Sequence, residues 1–180
     1  MASVKRNASV VVGSDLSRDA RELTVENSPR NPVVNALRRQ VANGFVLYAN
    51  NKVYHWQTYG PLFRDLHNLF DEFAHEVLGS IDQLAERVRM IGQDPPGQLN
   101  EILELASVTG AGNYERLRDM IEEADRNALL IIGEMREGAR LADEQSDPGT
   151  VDLFARLVQV HERHEWWLRD LLRKDDGLCT

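Results

Sequence analysis

From Pro61 to Ile91 an apolar side chain recurs every third or fourth position: Leu62, Leu66, Leu69, Phe73, Val77, Ile81, Leu84, Val88 and Ile91. That spacing is one stripe of a long α-helix and is incompatible with a strand, whose faces alternate every second residue. Other helices must cover the stripe. His67, Asp71, His75, Asp82 and Glu86 fall on a different face, about 140° around the helix at about 100° per residue. These are metal-ligand types, and they point away from the chain's own core. His67 and Asp82 lie roughly 22 Å apart along the axis, so one helix cannot bring both to one metal ion. A second copy packed antiparallel about a twofold axis near His75 can, which predicts a site shared between two subunits.

The remaining chain supplies the covering helices. Asn31-Pro32 is a helix start, with asparagine as N-cap and proline in the first turn. A helix then runs to about Tyr59, with Val34, Leu37, Val41, Phe45 and Tyr48 as its buried stripe and His55 in the same phase. Gly60-Pro61 separates it from the ligand-bearing helix, which Gly92 and Pro95-Pro96-Gly97 end. Residues 98–106 read as a short amphipathic helix and 109–113 as a loop. A third long helix begins near Asn113 and ends near Glu144, on Tyr114, Leu117, Ile121, Ala124, Ala128, Ile131, Met135 and Ala142. After the Ser146-Asp-Pro-Gly149 turn, a fourth runs from about Thr150 to Arg173, on Val151, Phe154, Val158, Leu168 and Leu172. The expectation is an all-α, four-helix bundle with a short extra helix in its long second connection. Residues 31–174 form the domain, residues 1–30 a flexible N-terminal tail and 175–180 a short C-terminal tail.

Charge and cysteine usage narrow the function classes. The net charge of −8 over 180 residues disfavours sequence-independent DNA binding and favours attraction of cations. The segment 1–30 carries five basic and four acidic side chains, too balanced for a DNA-coating arm. Cys179 is the single cysteine, which excludes an intrachain disulfide framework and fits a reducing compartment. The longest apolar run, 128–133, is too short to span a membrane. The opening residues make a poor secretory signal, so a cytoplasmic location is expected.

Asp82 and Glu86 stand one helical turn apart, where like charges mildly destabilise a helix unless a cation sits between them. Carboxylate oxygen with imidazole nitrogen suits iron, manganese or zinc. Few protein ligands leave coordination positions open for an oxidant, unlike a closed structural zinc site. Glu72 and His75 form the chain's one Glu-x-x-His, whereas single-bundle di-iron proteins use two such motifs. His161 and His164 share a face with Glu165 and read as a surface or internally hydrogen-bonded pair, or as an extra zinc or iron site. Trp166 and Trp167 read as packing and interface residues.

His55-Trp56, Gly60-Pro61-x-Phe63, Leu66-His67, Asp71, Asp82 and Ala85-Glu86-Arg87 together closely resemble the Dps mini-ferritins, DNA-binding proteins of starved cells. The resemblance covers nearly all of residues 32–173 and implies the ferritin-like fold. It also implies a di-iron ferroxidase centre at a dimer interface, with His55 and His67 from one subunit and Asp82 and Glu86 from the other. Asp71 would orient His67 or hold a second metal through water. Trp56 would pack at the seam or accept radical equivalents, and His75 would support the site near the twofold. Asp143, Asp147 and Asp152 would line a threefold pore that draws in Fe(II). Twelve subunits, built from twofold dimers, would form a hollow shell that oxidises Fe(II) with hydrogen peroxide or dioxygen and stores ferric iron against oxidative stress. Zinc is a compatible occupant of the same ligands. The alternative is a nucleoid-associated DNA-binding protein with secondary iron chemistry; the charge balance implies weak or absent DNA binding.

Overall fold

The computed structural model describes residues 25–173. They form five helices: α1 (Pro32–Gln57), α2 (Phe63–Ile91), α3 (Leu99–Leu105), α4 (Leu117–Glu144) and α5 (Pro148–Leu171). No strand occurs among the described residues. α1 packs along α2, α4 along α5, and the two hairpins meet chiefly where α1 crosses α4. This is the four-helix bundle expected from the periodicities, with α3 lying in the connection between α2 and α4 and resting on α1.

The first helix starts where its cap dictates. The Asn31 side chain accepts from the Val33 backbone N–H, and its amide nitrogen donates to Gln145 Oε1 at 2.8 Å and to the Glu26 carbonyl at 3.2 Å. One residue thus caps α1 and ties it to the end of α4. α1 and α2 come very close at Gly44, where a β-carbon would fall 2.7 Å from Ile81 Cγ1. Only glycine allows that approach.

The apolar side chains form two clusters. One, around Val33, Leu37, Val77, Leu84, Val88 and Phe154, fills the end holding α3 and the α4–α5 turn. The other, around Tyr54, Leu66, Phe70, Phe73, Ile121 and Leu168, underlies the end holding the α1–α2 connection.

Several expectations need correction. Residues 25–30 are not part of a free tail: Val25 is buried in the first cluster and Glu26 is held by Asn31. Residues 1–24 of the expected N-terminal tail, residue 174 of the expected domain and the expected C-terminal tail 175–180, with Cys179, lie outside the described residues. Phe45 is 38% exposed rather than buried, and Tyr48 is half-buried. α1 is covered on several sides, so Val33, Ala42, Val46 and Leu47 are buried as well and a single stripe does not describe it. α4 begins at Leu117 rather than near Asn113. The preceding segment stays extended, with the Tyr114 hydroxyl bound to Glu123 and accepting the Gly112 N–H.

Candidate metal centre

His55 sits in the last turn of α1 and His67 near the start of α2. Their rings stack at 3.5 Å between centroids, and Phe63 stacks with His67 at 5.1 Å. Each imidazole donates Nδ1–H to the other residue's carbonyl oxygen, at 2.6 Å from His55 and 2.9 Å from His67. A carbonyl oxygen only accepts, so both Nδ1 atoms must carry the proton. In the neutral rings both Nε2 atoms then keep a free lone pair, the form that binds a metal ion.

Asp71 follows one turn later. Lys52 Nζ lies 2.5 Å from its Oδ1, and this hydrogen bond holds the Asp71 carboxyl below the usual carboxylate range. His75 donates Nδ1–H to the Asp71 carbonyl at 2.8 Å and is otherwise exposed. Trp56 is 68% exposed and Phe63 47%, large apolar areas beside the histidines.

Asp82 and Glu86 lie on the exposed face of α2, roughly four turns beyond His67. The fold brings His55, His67 and Asp71 to one end and leaves Asp82 and Glu86 at the other. Among the described residues, no group of three or more histidine, cysteine or carboxylate side chains could hold a metal ion within one chain. The donor chemistry fits iron. For His55 and His67 to share a metal ion with Asp82 and Glu86, the two ends of α2 would have to face each other across a subunit contact.

The three acids of the α4–α5 turn have different surroundings. Asp143 is exposed. Asp152 is exposed and bonded to Arg156 at 2.9 Å. Asp147 is buried: it caps α5 through the Thr150 N–H and hydroxyl and pairs with Arg87 at 2.5 Å. It is therefore not available to line a channel, and of the three expected pore acids only Asp143 and Asp152 are exposed.

His161 and His164 are both buried in the bundle. His164 Nε2 meets Glu76 Oε2 at 2.6 Å, and its ring stacks on Phe73 at 3.8 Å. His161 Nδ1 has no partner among the described residues, and burial pushes the His161 pKa down to about 3. Glu165 bonds Arg169 rather than either histidine.

Two features were not anticipated. The Lys52–Asp71 pair is one; lysine on a helix carries no sequence signal for its partner. The other is a polar knot beside His55. Tyr54 is fully buried, donates to Glu123 at 2.9 Å and accepts from Asn127 at 3.1 Å. Burial, reinforced by the Glu123 charge, raises the Tyr54 hydroxyl far above its ordinary pKa, and burial pushes Tyr114 up to about 12. The available sign was a phenol one position before His55.

A family model described as a ferritin-like domain matches residues 34–178. The DNA protection during starvation protein of Brevibacillus brevis is 38% identical, over 76% of this chain and 91% of that protein. The Dps structure from Thermosynechococcus elongatus is 48% identical with a TM-score of 0.78, over 82% of this chain and 94% of that one. The Dps structure from Vibrio cholerae, described as a ferritin-like diiron-carboxylate protein, is 28% identical with a TM-score of 0.74. It covers 78% of this chain and 89% of that one. No described helix is long and apolar enough to cross a membrane.

Proposed function

This chain belongs to the Dps family of ferritin-like proteins, and on that premise we propose that it is a ferroxidase that oxidises and stores iron. Membership supports iron storage and stress protection. The observation that carries the finer reading is the reciprocal bonding of His55 and His67, which fixes both rings with Nε2 free for a metal ion. Fe(II) is the substrate. His55 and His67 of one subunit and Asp82 and Glu86 of its twofold partner bind it, and hydrogen peroxide or dioxygen takes up the electrons. Asp71, held by Lys52, acts from beside the centre, with His75 next to it and Trp56 at the seam. Twelve subunits enclose the ferric product, and Asp143 and Asp152 attract Fe(II) to the opening. The working compartment is the cytoplasm. Duplex DNA is at most a weak partner.

The test is Asp82→Ala with Glu86→Ala. The double variant should lose the fast phase of Fe(II) oxidation while sedimenting as the same twelve-subunit particle. Unchanged kinetics would remove these carboxylates from the centre.

A further inference from the structure

Arg87 directly follows Glu86 on α2, yet its guanidinium belongs to another part of the fold. Nη2 meets Asp147 Oδ1 at 2.5 Å and Nε donates to Thr150 Oγ1 at 2.9 Å. The Thr150 hydroxyl in turn donates to Asp147 Oδ2 at 2.6 Å. The guanidinium lies against the backbone of Gly149, where a β-carbon would stand 3.0 Å from Nη2. Any larger residue at 149 would press on it. The pair is well shielded: the side chains are 16% exposed for Arg87 and 3% for Asp147. α2 and α5 are also joined by Gln83 with Arg156 at 3.2 Å and, further from the turn, by Glu76 with Arg163 and His164, so the Arg87 fork is the link nearest the α4–α5 turn.

Asp147 therefore has two tasks. It caps α5, and it presents its carboxylate to α2. Its backbone N–H bonds Ala142 at 2.9 Å, and Ser146 beside it takes a left-handed φ of 56°. The turn that carries Asp143 before it and Asp152 after it is thus registered on the same guanidinium. A planar fork with two fixed donors can hold such a register; a single flexible ammonium cannot.

We propose that Arg87 is a positioning residue for iron delivery, tying the ligand-bearing turn of α2 to the turn that presents Asp143 and Asp152. This rests on the ferroxidase reading above. Arg87 touches no iron; it acts through the placement of the two exposed acids. Misplacing them weakens capture of Fe(II) at low concentration and leaves the oxidation step at saturation unchanged.

Two variants separate this from a purely structural role. Arg87→Lys keeps the charge and loses the fork. Arg87→Leu with Asp147→Leu removes both charges, so no lone carboxylate is left buried. In intact shells both should raise KM for Fe(II) by roughly threefold to tenfold, with kcat within about twofold of wild type. In a background of Asp143→Asn and Asp152→Asn, Arg87→Lys should change KM no further, because the acids it positions are gone. An unchanged KM in both variants overturns the proposal. So does a fall in kcat at constant KM, which would place Arg87 in support of Glu86, or a full Arg87→Lys effect without the acids. If wild type itself shows no saturable Fe(II) oxidation, the ferroxidase reading fails first and the proposal with it. Saturable wild-type kinetics with a flat KM across the variants fail the Arg87 assignment alone.

Discussion

His55 and His67 hold each other: each ring donates Nδ1–H to the other's backbone carbonyl, and the two rings stack face to face at 3.5 Å. Neither imidazole needs an outside partner to set its tautomer. The pair is preorganised within one subunit, so the other half of the ligand set can be tested by supplying it from a different chain.

A chain carrying His55→Ala and His67→Ala, and another carrying Asp82→Ala and Glu86→Ala, should each be inactive alone. When the two are refolded together, mixed dimers hold one complete site and one empty of ligands. Random pairing should restore about a quarter of wild-type activity. Verified mixed shells with no activity would mean that one subunit supplies every ligand.

Lys52 competes with any cation for Asp71. Lys52→Met should let the Asp71 carboxyl rise toward its ordinary pKa, because the bond that lowers it is lost. It should also tighten Zn(II) binding at the centre by roughly threefold to tenfold, measured by calorimetry at neutral pH. An unchanged Kd would show that a bound cation does not sense Asp71.

His161 makes the fold sensitive to acid. Its folded pKa is depressed to about 3 by burial, well below that of an exposed imidazole. The unfolded chain therefore takes up the proton first. Stability from this group is complete above about pH 6.5 and is lost as pH falls toward 3. Burial lowers His164 as well, so it acts in the same direction. By pH 4.5 the stability lost through His161, relative to neutral pH, should be on the order of 2–3 kcal/mol. His161→Phe should flatten the acid limb of a thermal-midpoint curve; parallel curves from pH 7 to 4.5 would count against it.

Duplex DNA should not be retarded by the assembly near physiological salt, about 150 mM, where screening acts over about 8 Å. The net charge is −8, and phosphate contacts would have to come from scattered basic residues. A clear gel shift under those conditions would restore the nucleoid-binding alternative.

The α2 stripe was legible because its burial depends on one helix facing one core. Leu66, Phe73, Val77, Ile81, Leu84, Val88 and Ile91 are buried, while Leu62 and Leu69 of the expected stripe are only half-buried. The exposure of the opposite face could be read for the same reason, since Asp82 and Glu86 are exposed where the helical phase puts them. α1 was harder because α2, α3 and α4 all touch it, and burial then follows neighbours rather than phase. Asp147 looked like its acidic neighbours, yet an arginine 60 residues away takes its charge. Tyr114 matched the spacing of α4 but serves as a hydrogen-bond partner of Glu123 outside the helix. Long-range pairs of this kind leave no local periodicity to detect.

Trp56 at 68% exposure and Leu99 and Leu103 at 80% and 69% give the lone subunit adhesive surfaces. In the proposed shell-forming protein, a newly synthesised chain is therefore in a race between correct docking and nonspecific clumping. Docking and clumping both accelerate with concentration, so the rate of synthesis matters as much as the total made. Slow production at low temperature should raise the yield of finished particles, and a brief surge should leave more chain in the insoluble fraction.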